Sequence, residues 1–346
     1  MKTPTTATTT NEPIALLVVA SGERADKFVA LALEARGLAV SRARIQRWCE
    51  EGLVTRSNQA LKSSSLLRAG DELVVRPVAD EPSDLIPDPS VVIDVVYEDD
   101  DLVVVHKPAH LVVHPAKSHR EKTLIHGLLA RGGFDKGTLE DCTRPGIVHR
   151  IDKGTSGLLV VAKKVATREK LKELFQQHRI DREYVALVVG TAQSATYDTA
   201  HGRHETDRLR FTSLRPAGTP RRAITHIAVV EQLHGLTLVR CTLETGRTHQ
   251  IRVHLSERSG TPILGDPVYG ARPKDPAIRA LGEALGRQAL HAQVLGFVHP
   301  RTRKKLRFER PPPADFQHAL AVARERTATA EAISLRTTTA RNKTQR

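Results

Sequence analysis

One acid in this chain stands where it could do covalent or acid–base chemistry. Asp152 lies in Pro145-Gly-Ile-Val-His-Arg-Ile-Asp-Lys-Gly-Thr-Ser-Gly157, a charged, glycine-punctuated segment that runs directly into Leu158-Leu-Val-Val-Ala-Lys-Lys164. A loop feeding a buried strand presents its side chains from a rigid support, a common setting for active sites. Arg150 and Lys153 flank the acid, and nearby cations favour the ionised carboxylate that a nucleophile or base needs. On composition alone a structural ion pair explains the same residues, and both readings stand at this point.

Other patterns are weaker. His106, His110 and His114 are spaced by four, as ligands on one helix face would be. Pro108 and Pro115 and the β-rich flanks argue against a helix there, so no metal site is expected. Gly132-Gly133 and Gly154 to Gly157 lack the G-x-x-x-x-G-K-[ST] pattern of a phosphate-binding loop. Cys49, Cys142 and Cys241 are far apart and form no C-x-x-C pair. Neither a paired-cysteine zinc site nor a disulfide framework is expected, and free thiols suit a reducing cytoplasm.

The elements that must position Asp152 fall in the second part of the chain. Strands fit residues 91–97, 101–106, 157–162, 184–189, 223–230, 237–243, 293–299 and 305–309. Helices fit 167–178, with Leu171, Leu174 and Phe175 on one face, and 248–258, with Ile251 and Leu255 inward and Gly260 closing it. Strands outnumber helices and often follow one another directly. The expected class is therefore α+β: a mixed, mainly antiparallel sheet flanked by helices, with a small α/β unit in front.

That smaller unit spans residues 14–78. Helices fit 24–35 and 42–51, with Ser41 as the cap of the second. Ile45, Trp48 and Cys49 sit at i, i+3, i+4 and face a core, while Arg44 and Arg47 share another face. Together with Arg42 they form a candidate phosphate-contacting surface, although an ordinary solvated arginine face fits the pattern equally well. Residues 79–90 hold three prolines and four acids and read as a linker. The catalytic unit is expected over 91–316. Residues 1–13 and the basic stretch 317–346 read as tails, the first disordered and the second mostly so.

The bulk numbers agree with two units, since 346 residues suit a core of about 200 plus an appended module. Lys and Arg number 53 against 39 Asp and Glu, a net charge of +14 that points to a polyanionic partner. Charge alone does not separate DNA from RNA, or RNA from an anionic membrane. Aromatic residues make up only 3%, so recognition of backbone and shape is expected over stacking on many bases. The early apolar run Ile14-Ala-Leu-Leu-Val-Val-Ala20 falls short of the roughly 20 residues a membrane span needs. It also lacks a basic stretch before it, so a buried first strand is expected rather than a signal peptide.

The segment PGIVHRIDKGTSGLLVVAKK resembles the H-R-L-D-x-x-T-S-G signature of the RluA/RluD-type pseudouridine synthases. Four further blocks agree in the family's order. They are Tyr97 to Pro108 with Leu111-Val-Val-His-Pro115, Arg182-Glu-Tyr-Val-Ala-Leu-Val-Val-Gly190, Leu243-Glu-Thr-Gly-Arg-Thr-His-Gln-Ile-Arg-Val-His254 with Leu264-Gly-Asp-Pro-Val-Tyr-Gly270, and Leu290 to Pro300. Together they span about residues 91–312. Residues 14–78 resemble, less closely, the alpha-L RNA-binding module of the RluD-like branch. Where that module often has a V-x-V-N-G turn, this chain reads Leu53-Val-Thr-Arg-Ser-Asn-Gln59. In the main signature Ile151 replaces the usual Leu, and Gly154 stands where an acid is common.

The resemblance implies isomerisation of uridines in structured RNA, most often 23S ribosomal RNA, in the cytoplasm and without a cofactor. It implies Asp152 as the catalytic carboxylate, acting by covalent attack or through a glycal. Arg247 would pair with it, Tyr184 would stack on the uracil and assist proton removal, and Arg150 would fill the space the base vacates. A transfer RNA substrate and a non-catalytic ribosome assembly factor of the same fold are the alternatives. A monomer is expected, with RNA as partner, no membrane and no metal.

Overall fold

The computed structural model describes residues 12–38, 40, 42–78, 85–115, 121–139, 144–207 and 209–344. Ser41, Cys142, residues 79–84 of the linker and nearly all of the first tail lie outside the described residues.

The first unit comprises β1 (Ile14–Leu17), α1 (Ala25–Glu34), α2 (Arg42–Glu50), β2 (Val54–Arg56), β3 (Gln59–Ala60) and β4 (Glu72–Val75). Its strands pair in the order β1-β4-β2-β3, all antiparallel. Ile45, Trp48 and Cys49 turn one face of α2 into a core shared with Val29, Leu33, Leu73 and Val75. Ser57 and Asn58, with φ of 51° and 62°, make the two-residue turn between β2 and β3. Successive left-handed residues match the twist of a hairpin, so this chain builds the turn without glycine.

A buried acid ties the two helices together. Asp26 is wholly inaccessible, and a lone carboxylate there would be costly. Arg24 and Arg42 each donate to it at 3.0 Å and Gln46 at 2.7 Å. Burial works to raise its pKa, but these hydrogen bonds outweigh burial and hold it down at about 2.

The second unit runs through β5 (Asp94–Glu98), β6 (Leu102–Lys107), α3 (Leu124–Arg131), α4 (Lys136–Leu139), β7 (Ser156–Ala162), α5 (Val165–Gln176) and β8 (Asp181–Val189). It continues with β9 (Ala195–Arg203), β10 (Phe211–Thr212), β11 (Ala217–Leu233), β12 (Leu236–Leu243), α6 (Gln250–Val253), a π turn (His254–Arg258), α7 (Pro276–Leu285), β13 (Leu290–Val298), β14 (Lys305–Glu309) and α8 (Ala314–Thr344). The sheet order is β10-β9-β11-β12-β8-β13-β7-β6-β5, with β14 on β13. Every described pairing is antiparallel except β7 with β13. This is the mixed, mainly antiparallel class that the element order predicts.

Two cores lie on the two faces of this sheet. Along β7, Leu159 and Val161 enter one while Leu158, Val160 and Ala162 enter the other. The same alternation holds in β6, where Val103 and Val105 oppose Leu102 and Val104. Residues alternating across a pleat explain why both strands are unbroken apolar runs. The parallel contact of β7 with β13 is short, pairing Ser156 with His291 and Gly157 with Ala292. Gly157 has φ of 122°, and a Cβ there would fall 2.3 Å from the Ala292 carbonyl oxygen. Only glycine lets the backbones approach so closely.

Some elements differ from the sequence reading. The helix expected over 248–258 divides into α6 and the π turn. The stretch 317–346, expected to be mostly disordered, is helical through Thr344. Phe316, Ala319 and Ala323 on its first turns pack into the main core. Arg324 and Arg326 reach Glu231 at 2.6 Å and Asp275 at 2.5 Å. Two of these three core residues are alanine, the best helix former, and Phe316 is the large anchor beside them. His106 lies in β6 and His110 in a turn with φ of 67°, so the three histidines spaced by four share no helix. Among the described residues no helix is long and apolar enough to cross a membrane.

Candidate active site

The loop 149–155 before β7 opens onto a cavity of about 750 Å³, closed on other sides by residues 113–115, by Tyr184 of β8 and by the turn after β12. The loop is clamped from several directions. The Thr155 N–H donates to the Asp152 carbonyl at 3.0 Å, making a tight turn. Lys107 donates to the Lys153 carbonyl at 3.3 Å, and to those of Pro108 and Leu111 at 2.8 Å each. Arg287 donates to the Gly154 carbonyl at 3.2 Å, and Gln288 to the Thr155 hydroxyl at 3.0 Å. A Cβ on Gly154 would meet the Gln288 amide oxygen at 2.5 Å. A side chain at position 154 would have to displace the Gln288 amide.

Burial disfavours charge on the two bases under the loop. Burial pushes the His149 imidazole down to about 3, with Arg182 adding to the effect. Its Nε2 accepts the Val160 N–H at 3.0 Å, and its ring lies 4.7 Å from that of Phe175. Lys107 is fully buried, and burial brings its pKa down to about 7, against the pull of Asp152.

Asp152 points into the cavity with 18% of its side chain exposed. Arg252 donates to its Oδ2 at 3.0 Å through one guanidinium nitrogen. The other two nitrogens of Arg252 engage Asp266 at 2.7 and 2.8 Å. Asp266 is fully buried and also accepts the Val268 and Tyr269 N–H groups at 2.9 and 3.0 Å. Burial acts to neutralise both partners, yet the hydrogen bonds prevail, lowering the Asp266 pKa and raising that of Arg252. Such a two-edged guanidinium fixes a carboxylate in orientation as well as charge.

The expected partner of Asp152, Arg247, is not the one observed. Its Nε donates to the Arg222 carbonyl at 3.1 Å, and its backbone N–H to the Gln250 side chain at 2.9 Å. Gln250 closes the turn by also engaging Thr245, Ile224 and Thr225. Helix α6 therefore starts at Gln250, and the second arginine of Arg247-Thr-His-Gln-Ile-Arg252 is the one aimed at the acid. Arg252 lies among Ile251, Val253 and Leu255, all buried, and its two carboxylate partners offset the cost of burying its charge.

His249 was not singled out from the sequence. It holds a left-handed backbone, φ 59° and ψ 16°, just before α6. Its Nε2 lies 3.9 Å from Asp152 Oδ2, and its Nδ1 lies 3.0 Å from the Tyr269 hydroxyl. Burial lowers its pKa, against the raising effect of Asp152.

Tyr184 is 7% exposed and sits between Cys241 of β12 and Ala292 of β13. Burial raises its phenol pKa, with Arg182 opposing and Asp152 adding, so it remains a protonated phenol at neutral pH. Arg150 is exposed at the cavity rim. Arg144, Arg150, Arg182, Arg221, Arg222, Arg247 and Arg252 line the cavity, against the carboxylates of Asp152 and Glu244. The excess positive charge suits a phosphate-bearing ligand. Arg42, Arg44 and Arg47 are not in this lining. Arg42 pairs with Asp26, and Arg44 lies 5.1 Å over the Trp48 ring and donates to Val78. Arg47 is half-buried on α2.

Residues 101–257 match the family model described as RNA pseudouridylate synthase. The chain is 41% identical over 295 residues to an uncharacterized RNA pseudouridine synthase, YlyB, of Bacillus subtilis, covering 85% of this chain and 91% of that one. It is 40% identical over 291 residues to ribosomal large subunit pseudouridine synthase D of Neisseria meningitidis, covering 82% and 75% respectively. Among solved structures, human RNA pseudouridylate synthase domain containing 1 superposes with a TM-score of 0.50 at 28% identity. That match covers 66% of this chain and 86% of the human one.

Proposed function

The chain belongs to the RNA pseudouridine synthase family, and from that premise we propose that it isomerises uridines of large-subunit ribosomal RNA with Asp152 as the catalytic carboxylate. The observation that carries the proposal is the carboxylate fixed by Arg252 in a cavity lined with arginine. Relatives named for the large ribosomal subunit support the choice of RNA.

The target uridine leaves its stack to reach the cavity, as base-modifying enzymes generally require. Asp152 acts on its ribose by attack at C1′ or by drawing a proton toward a glycal. The N1–C1′ bond breaks and the uracil turns; as C5 bonds to C1′, the bond from C1′ to Asp152 breaks or, on the glycal route, the proton returns to C2′. The C5 proton is then lost and N1 gains one, so atoms balance with no cofactor. Tyr184 supports the base as a protonated phenol. Arg150 at the rim fills the space left in the RNA, and Arg247 contacts RNA rather than the carboxylate. Arg44 and Arg47 add phosphate contacts from the first unit, with Arg42 supporting the helix through Asp26. The protein works in the cytoplasm as a monomer.

Asp152→Asn is expected to abolish release of label from C5-tritiated uridine while RNA binding stays within about twofold. Wild-type turnover by that variant would remove Asp152 from the role. Pseudouridine mapping of total RNA from cells with and without the gene names the substrate, and sites missing only from transfer RNA would replace the ribosomal reading.

A further inference from the structure

His249 has a geometry that the carboxylate chemistry above does not use. Its ring faces the cavity beside Asp152, and its backbone is held in the left-handed region. Non-glycine residues kept there are uncommon and concentrate at functional sites. Two neighbours decide where its proton resides. The Tyr269 hydroxyl accepts the Phe211 N–H at 2.7 Å, which leaves its own hydrogen for His249 Nδ1 at 3.0 Å. Burial raises the Tyr269 phenol to about 12, so that hydrogen stays in place. Nδ1 is then an acceptor, and the ring carries its hydrogen on Nε2. The opposite tautomer would set an Nε2 lone pair against the carboxylate.

Nε2 and Asp152 Oδ2 are 3.9 Å apart, too far for a direct hydrogen bond. One hydroxyl oxygen fits between them at about 2.8 Å from each, accepting from Nε2–H and donating to the carboxylate. In an internal nucleotide the 3′ and 5′ oxygens are esterified, so the ribose offers a single free hydroxyl, at C2′. That carbon adjoins C1′, the atom to which Asp152 must come close. We propose that His249, set by Tyr269, is a specificity-determining residue that hydrogen-bonds the 2′-hydroxyl of the target ribose. The proposal rests on the reading of Asp152 as the carboxylate beside the sugar. It would let the site distinguish RNA from DNA at the reacting nucleotide, the task to which a 2′-hydroxyl contact is suited.

The test uses the full chain and a synthetic RNA hairpin containing a uridine that the wild-type enzyme converts. The hairpin is made twice, with uridine or 2′-deoxyuridine at that one position, and affinity is measured for both. Wild type is expected to bind the ribose form about tenfold more tightly, a single lost hydrogen bond's worth. His249→Asn tolerates the left-handed backbone but its amide stops short of the Nε2 position, so the ratio should fall to about one. His249→Gln places an N–H near Nε2 and should recover part of it. Tyr269→Phe frees the tautomer and should reduce the ratio with His249 intact. A wild-type ratio of one, or an unchanged ratio in both His249→Asn and Tyr269→Phe, overturns the proposal. Asp152→Asn run alongside separates the two ideas: turnover in that variant defeats the parent reading, whereas an inactive Asp152→Asn with unchanged ratios defeats only the role of His249.

Discussion

Arg252 gives two of its three guanidinium nitrogens to Asp266 and the remaining one to Asp152. The half-buried acid in the cavity is thus oriented by a fully buried one, and the arginine between them is itself only 5% exposed. Removing either end leaves a charge without its counterpart in a dry setting.

Asp266→Asn should therefore be more damaging than its distance from the cavity suggests. Breaking a buried pair costs roughly 3–5 kcal/mol. The amide keeps one acceptor, so a loss near 3 kcal/mol in urea denaturation is expected, with reduced tritium release. A variant as stable and active as wild type would show that Arg252 needs no second anchor.

Arg252→Lys and Arg247→Lys should separate cleanly. A lysine cannot hold two carboxylates by separate edges, and a displaced catalytic group can lower rate by about 10²-fold. Arg252→Lys should lose about that much in single-turnover rate with RNA affinity little changed. Arg247→Lys should keep most of its rate and weaken RNA binding by a few-fold. The reverse pattern would return Arg247 to the carboxylate.

Gly157→Ala should be costly and Gly286→Ala mild. Both have positive φ, 122° and 60°, but only at Gly157 would a Cβ meet backbone at 2.3 Å, whereas at Gly286 its nearest neighbour is at 4.0 Å. About 1 kcal/mol is expected at Gly286 and several at Gly157. Thermal melts of the two variants compare them directly, and equal losses would mean the β7–β13 contact can spread apart.

Acid should destabilise the fold before carboxylates titrate. Burial pushes His254 and His291 down to about 4 each. Both are fully inaccessible, whereas in the unfolded chain they titrate near 6.5. The unfolded state then binds more protons, so their stability is complete above about pH 6.5 and is lost as pH falls toward 4. The gap from 6.5 to about 4 corresponds to roughly 3 kcal/mol for each at its full extent. Urea midpoints between pH 7 and 4.5 should fall, and His254→Gln should flatten the slope. A midpoint constant over that range would show that these imidazoles accept protons in place.

Much of the site can be read in the sequence because the Asp152 loop enters β7, and β7 is an apolar run with no other use than burial. The class of the sheet is equally plain from consecutive strands. What escaped the sequence is set by distant partners. Arg252 and Arg247 differ only in which one faces inward, and that depends on Gln250 tying the turn to β11. Helix α8 escaped because its docking residues are mostly alanine, and composition does not reveal that Glu231 and Asp275 await Arg324 and Arg326. The start of α7 was there to be seen, since Asp275 caps it with Pro276 in the first position and Gly286 ends it. His249 carried no local signal, because its tautomer is fixed by a tyrosine twenty residues away.

The clamps on the Asp152 loop come from Lys107 upstream and from Arg252, Asp266, Arg287 and Gln288 downstream. Synthesis runs from the first residue to the last, and domains fold as units while the chain emerges. The first unit has its whole core by Val75. The carboxylate, although made midway, waits for about 140 further residues before β13 can pair with β7. A nascent or truncated chain ending before Leu290 would hold Asp152 and Arg252 without the β13 pairing that seats β7 behind them, so reactivity arrives only with a nearly finished protein.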